Sequence, residues 1–254
     1  MSESSARMTQ TPILVQVQPV IPPPRPKGWR HVDFGLSALL ALQVLTLFVA
    51  IPLGTVSPGG RLLIDICHVL YALVCVVILT RHPVLRGLLI GSVAVLAAGP
   101  LVIARLLVHV GLGANFEHDT IAITAFAFNG AVTVLIARHV FAAGRVTPQR
   151  VLGAILLYLN IASLFSIAFS EIVSILPGAI TASAGALLPI GAGSRTAALT
   201  YFSLSTITTT GFGDLVPMHP LARSLANLES VIGQLFPATL LARLVALQLA
   251  HEPQ

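Results

Sequence analysis

From Phe34 onward the chain alternates long apolar runs with short polar breaks, and Ala, Leu, Val and Ile dominate every run. Six runs are long enough to cross a hydrocarbon layer, which takes about 20 helical residues. They are Phe34–Gly54, Leu62–Thr80, Val84–Val108, Asp119–Ala142, Val151–Leu176 and Leu221–Ala250. A helix satisfies each backbone group within its own segment, where a single strand in lipid cannot. The pattern therefore predicts an all-α membrane protein with six transmembrane helices. Residues 1–33 break the pattern: they are polar and proline-rich, with VIPPPRPK at Val20–Lys27, a composition that favours extended backbone and builds no core. The first apolar run lies too far in and is too long for a secretory signal, so it is expected to be retained. Between the fifth and sixth runs lies an insert, Pro177–Pro220, too polar in its second half to be a further span. The predicted organisation is a tail at 1–33, a four-helix transmembrane domain at 34–142, and a last domain at 143–254 holding the insert.

Composition narrows the classes. Of the 254 residues 56% are apolar and 9% charged, against about 25% charged in a soluble domain, and the mean hydropathy is +0.92. A water-soluble globule and the soluble enzyme classes are excluded. Cys67 and Cys75 lie about 12 Å apart along one helix, too far to bridge. The net charge of +5 is almost all arginine, Lys27 being the one lysine, and in so apolar a chain it speaks for membrane orientation before nucleic acid. Arg7, Arg25, Lys27 and Arg30 of the tail, Arg81 and Arg86 after the second run, and Arg138, Arg145 and Arg150 after the fourth lie on one side; Arg61, Arg195 and Arg223 lie on the other. The positive-inside rule then puts both termini in the cytoplasm and the insert outside. The runs show no internal repeat, which argues against an inverted-repeat transporter.

The chemistry sits in the insert. Arg195–Ile207, RTAALTYFSLSTI, is a short amphipathic stretch that predicts a half-length helix, and it runs directly into Thr208-Thr209-Thr210-Gly211-Phe212-Gly213-Asp214. This string resembles the filter of the pore-loop potassium channels, Thr-Val-Gly-Tyr-Gly-Asp. Physical chemistry accounts for the residue types: a cation stripped of water needs rings of oxygens, and four chains supply them when successive carbonyls face one axis. Such a ribbon needs backbone angles that glycine adopts without steric cost.

The resemblance implies an outer helix at 151–176, a re-entrant pore helix at 195–207, a filter at 208–214 and an inner helix at 221–250. It implies K+ sites built from the carbonyls of Thr209, Thr210, Gly211 and Phe212 with the Thr209 hydroxyl, and Asp214 at the outer mouth tying the filter to the helix behind it. Tyr201 and Phe202 match the family's bracing aromatic pair, and Ser205 stands where some members have a carboxylate. Asp214-Leu-Val-Pro217 and Pro220 match the turn into the inner helix, and Gly233 falls where the family has its hinge glycine. By the same resemblance the protein is a homotetrameric, potassium-selective channel of a plasma membrane of prokaryotic type. It is not an enzyme and has no cofactor beyond the transported K+; its partners are K+, membrane lipid and its own copies, with no nucleic acid. Thr210 for valine and Phe212 for tyrosine keep a non-selective cation channel of the same build as the alternative. A secondary transporter or membrane enzyme with an incidental glycine turn is the reading from another class.

Ionisable residues within spans are functional candidates by default. Asp65 and Arg105 lie at similar depth and are expected to form a structural ion pair. Glu171 and Glu229 are expected to be scaffold behind the filter, and Arg243 to snorkel to the interface. His68, His109 and His118 are scattered, no spacing suggests a metal centre, and no nucleophile motif stands out. The fourth run carries only Arg138, so a voltage sensor with arginines at every third position is not expected. Few residues follow Ala250, so any gate is expected within the spans. Gly233–Pro237 is the expected bend, since proline removes a backbone hydrogen bond and obstructs the preceding turn.

Overall fold

The structure is a computed structural model that describes residues 29–76, 87, 91, 114–141, 147–183, 185, 187–188 and 192–249. Helix α1 (Trp29–Leu45) begins inside the predicted tail and continues through one π-helical turn (Thr46–Ala50) into α2 (Ile51–Val56). The chain then turns at Ser57. Its backbone is extended and its Oγ accepts from the Gly60 N–H at 3.1 Å, with Pro58 at the first helical position. A serine cap followed by proline is a strong helix start, and α3 (Pro58–Val74) follows. Helices α4 (Ala114–Val140) and α5 (Pro148–Ile175) are each long enough to cross a bilayer. The insert folds as strand β1 (Ile180–Ala182), helix α6 (Ala192–Ile207) and strand β2 (Leu215–Pro217), and α7 (Pro220–Leu249) closes the chain.

Among the described residues four helices are long and apolar enough to span a membrane: Gly35–Val56, Ile123–Val140, Pro148–Ile175 and Pro220–Arg243. These coincide with the first, fourth, fifth and sixth predicted runs. Helix α3 covers most of the second run without meeting the same criterion, and the third run, residues 87 and 91 apart, lies outside the described residues, as do the tail to residue 28, Arg105 and His109. Six spans thus remain an expectation, and four stand as candidate membrane helices.

Helix α5 is the hub and packs against α1, α4, α6 and α7. Two apolar clusters lie along it. One joins Leu36 and Leu39 of α1, Tyr71 of α3, Val132 and Ile136 of α4 and Leu156 of α5. The other sits under the insert, where Phe169 of α5 meets Ile180, Leu199, Phe202 and Ala222. Since lipid is as apolar as these side chains, close packing rather than escape from water holds them together. The Phe169 and Phe202 rings meet edge to face at 5.0 Å, a favoured aromatic geometry. β1 and β2 pair antiparallel, Ile180 opposite Pro217 and Ala182 opposite Leu215. This small hairpin brackets α6 and the segment after it.

Candidate ion-conduction site

Helix α6 ends at Ile207, and its last carbonyls find their donors in the segment that follows. Thr208 N–H donates to Leu204 O at 3.2 Å and Thr209 N–H to Thr206 O at 2.9 Å. Ser205 O then accepts two bonds, from Thr210 N–H at 2.9 Å and Gly211 N–H at 3.2 Å. The N–H groups thus point back at the helix end, satisfying carbonyls that a helix terminus leaves without partners. Beyond it the backbone alternates in hand: φ is +57° at Thr209, +55° at Gly211 and +78° at Gly213, while Thr210 and Phe212 keep negative φ. Left-handed backbone costs an ordinary residue roughly 1–2 kcal/mol, and two of the three positions are glycine. Alternating hand brings successive carbonyls towards one side. Among the described residues no donor reaches the carbonyls of Thr209, Thr210, Gly211 or Phe212. Four consecutive acceptors left open in this way suit a desolvated cation.

The ribbon is braced from α6. Tyr201 stacks on Phe212 with ring centroids 5.8 Å apart and planes 11° from parallel. Removal of water, and after it the hydrogen bond with the Asp214 carboxylate and that carboxylate's charge, hold the Tyr201 phenol above its ordinary value. Phe202 faces the other way, buried against Phe169 of α5. Of the expected aromatic pair, Tyr201 therefore touches the ribbon and Phe202 anchors the helix. Ser205 acts through its backbone oxygen, while its hydroxyl donates to Phe202 O at 2.9 Å. Asp214 is fixed locally: Oδ1 accepts from Leu215 N–H at 3.0 Å, and its carbonyl from Ser183 N–H at 2.8 Å at the end of the hairpin.

From below, α7 and α5 reach the same helix end. Gln234 Nε2 donates to Thr209 Oγ1 at 2.8 Å, and Thr209 Oγ1 donates to Thr208 O at 2.7 Å. Tyr158 of α5 donates its hydroxyl to Ile207 O at 2.8 Å. Gly233 lies against that same carbonyl so closely that a Cβ would overlap Ile207 O and come within 3.1 Å of its Cα. Helix α7 runs unbroken through Gly233 and Pro237. A close approach of two backbones thus requires glycine at 233, whatever bending occurs there.

Glu229, fully buried, meets Ser203 of α6 through Oε1, and among the described residues its Oε2 has no hydrogen-bond partner. Ser203 Oγ also lies 2.7 Å from Ala162 O. A serine hydroxyl has one proton, so both contacts are hydrogen bonds only when the Glu229 carboxyl supplies the other. Arg243 stands at the end of the candidate span Pro220–Arg243, where its guanidinium donates to Val140 O at 3.3 Å and Phe141 O at 3.0 Å and lies 5.3 Å from the Phe141 ring centre. It caps the C-terminus of α4, where the helix dipole favours a cation. Glu171 is half-buried on α5, His68 lies on α3, and Asp65 is described while its expected partner Arg105 is not. Among the described residues no group of three His, Cys, Asp or Glu is placed to hold a metal.

Sequence reasoning missed four features. The hairpin joins two three-residue strands with more than thirty residues between them, which no local pattern announces. The Tyr158, Gln234 and Ser203 contacts are single side chains reaching between helices, and only a polar residue within an apolar run hinted at each.

Residues 179–248 match the family model described as ion channel. No curated protein and no solved structure matches the chain. The matched segment runs from the hairpin through α6 and the ribbon to nearly the end of α7. It supports an ion-channel family and passive ion conduction, in a membrane protein with several apolar helices.

Proposed function

We propose that the protein is a potassium-selective channel in which four copies each contribute one Thr208–Asp214 ribbon to a common pore. The observation that carries this reading is the run of four unpartnered carbonyls, Thr209 to Phe212, on a backbone of alternating hand. One chain supplies one wall, and stacked rings of oxygens around a K+ ion need four. Helix α6 serves as the re-entrant pore helix, α5 as the outer helix and α7 as the inner helix. The sites are backbone oxygens, so Thr210 and Phe212 alter how rigidly the ribbon is held more than what it binds. Stacking on Tyr201 substitutes for the hydroxyl that Phe212 lacks. The protein lies in a plasma membrane with both termini cytoplasmic, as its arginine distribution supports.

Purified protein in a planar bilayer, under opposed K+ and Na+ gradients, tests this. The expected reversal potential lies near that of K+; a value near zero would make the pore a non-selective cation channel. Absence of discrete single-channel currents would remove the channel reading altogether. Gly211→Ala should abolish selective current in protein that still assembles, because its φ of +55° suits glycine.

A further inference from the structure

Thr209 combines two features that rarely occur together, a β-branched side chain and a φ of +57°. A β-branched residue in left-handed backbone is an outlier, and it persists only where its surroundings over-determine it. Three hydrogen bonds do so here. The Thr209 N–H donates to Thr206 O at 2.9 Å and its hydroxyl to Thr208 O at 2.7 Å, both within α6 and the ribbon. The third comes from another element: Nε2 of Gln234 on α7 donates to Thr209 Oγ1 at 2.8 Å. Gly233, lying against the Ile207 backbone, brings α7 near enough for that reach. A polar side chain in an apolar span serves in this way to bond across helices. The Thr209 hydroxyl has one proton and two lone pairs. With the proton on Thr208 O, only a donor can serve from α7, and the Gln234 amide takes one lone pair. The other lone pair stays open on an exposed residue that no further side chain reaches among the described residues. Because Thr208 O is occupied by this hydroxyl, the run of open carbonyls begins at Thr209. Thr208 and Thr210 share a 2.9 Å hydroxyl bond with each other, so the middle one of the three threonines is the one tied to α7.

We propose that Gln234 is a positioning residue for the cation site at the Thr209 end of the ribbon, an inference that rests on reading the ribbon as a potassium filter. Its amide keeps the hydroxyl proton turned onto Thr208 O, so a lone pair and not a proton meets the ion. Without it the hydroxyl rotates, presenting its oxygen to the ion only part of the time. A ligand fixed beforehand in its bound orientation binds more tightly than one that must be ordered on binding. Gln234 therefore acts on affinity and ion preference through Thr209, and touches no ion itself.

The test reads cation binding from the melting temperature of the full-length assembled protein in detergent. It is titrated with KCl and separately with NaCl, choline chloride holding the ionic strength constant. The native protein should respond to K+ at lower concentration than to Na+. In Gln234→Met, similar in volume but without a donor, the K+ dissociation constant should rise about fivefold or more, the worth of one neutral hydrogen bond, with a smaller change for Na+. Thr209→Val removes the hydroxyl and keeps the branched shape. Adding Gln234→Met to it should raise the constant no further, since both changes break one bond. Unchanged K+ affinity in Gln234→Met, an equal loss for both ions, or additive losses in the double variant overturns the proposal and leaves the filter reading standing. A native protein that responds equally to K+ and Na+ overturns both. Should Gln234→Met not assemble, Gln234→Asn takes its place with the same expected loss, its amide one methylene short of Thr209. Should Thr209→Val not assemble, the split between K+ and Na+ in the single variant decides.

Discussion

The two halves of α7 are held in opposite ways. From Glu229 to Gln234 almost every turn is fastened to α6 or the ribbon: Glu229 to Ser203, Ser230 to Thr206 O at 3.4 Å, Gly233 to Ile207, and Gln234 to Thr209. From Phe236 onward the contacts of the described side chains are an aromatic step, Phe236 against Tyr158 at 5.7 Å and Phe141 at 6.4 Å, Leu240 against the cluster that α1 and α5 share, and Arg243 on the end of α4. The upper half is fixed by a close backbone approach, one buried polar bond at Glu229 and two less buried ones at Ser230 and Gln234, and close packing tolerates little displacement. The lower half rests on side-chain contacts. One helix thus contains a clamp for the ribbon and a lever that the peripheral helices can hold, with Gly233–Pro237 where they meet.

The clamp should fail most severely at Gly233. Overpacking costs about 1–3 kcal/mol when side chains can yield, and here the overlap is with the Ile207 backbone, which has nowhere to go. Gly233→Ala is expected to lose at least the upper end of that range, seen as a fall in melting temperature and in assembled protein on size exclusion. Normal folding with altered open probability would mean that Gly233 is a hinge and the close approach unimportant. Next in size is Glu229. Glu229→Ala leaves Ser203 one partner short and opens a void, for about 2–3 kcal/mol. Glu229→Gln, whose amide donates to Ser203 as a protonated carboxyl does, should stay within about 1 kcal/mol of the native protein. Equal damage from both would show that a carboxylate, not a donor, is needed there.

This contrast also marks what was legible in the sequence. Helices α5, α6 and α7 fall within a few residues of the stretches 151–176, 195–207 and 221–250 read from the sequence, because apolar periodicity and the proline starts at Pro148 and Pro220 are local signals. The ribbon was legible for the same reason: glycines at 211 and 213 declare unusual backbone, and α6 runs straight into them. Gly233 was read as a bend, because a glycine within a helix looks identical whether it frees the chain or admits a neighbour. That Arg243 caps α4 was not legible, since nothing near it in sequence reveals that the carbonyl end of α4 lies beside it. The hairpin, the Tyr158 bond and the split roles of Tyr201 and Phe202 depend on which helix faces which, and one chain's pattern does not encode that without its partners' positions.

The lever yields smaller effects. Replacing Arg243 by glutamine removes a charge from a helix C-terminus, an interaction of about 0.3–1 kcal/mol, with little change in melting temperature. It should still shift open probability at constant reversal potential, because it frees the inner half of α7 from α4. A changed reversal potential would place Arg243 in the conduction path and sink the division between clamp and lever.

Pro237→Ala is expected to have the least effect on stability. Proline within a helix lacks one N–H and crowds the carbonyl a turn earlier, so alanine restores a hydrogen bond between the halves and stiffens their junction. The Gly233 and Gln234 contacts lie above it and remain, so the ribbon is unaltered. Single-channel recording should show unchanged conductance and reversal potential with altered open times. Used singly, this variant separates bending from the packing damage that any substitution at Gly233 adds. If open times are also unchanged, the junction is a static kink, the lever has no gating role, and gating must arise in the ribbon and its clamp.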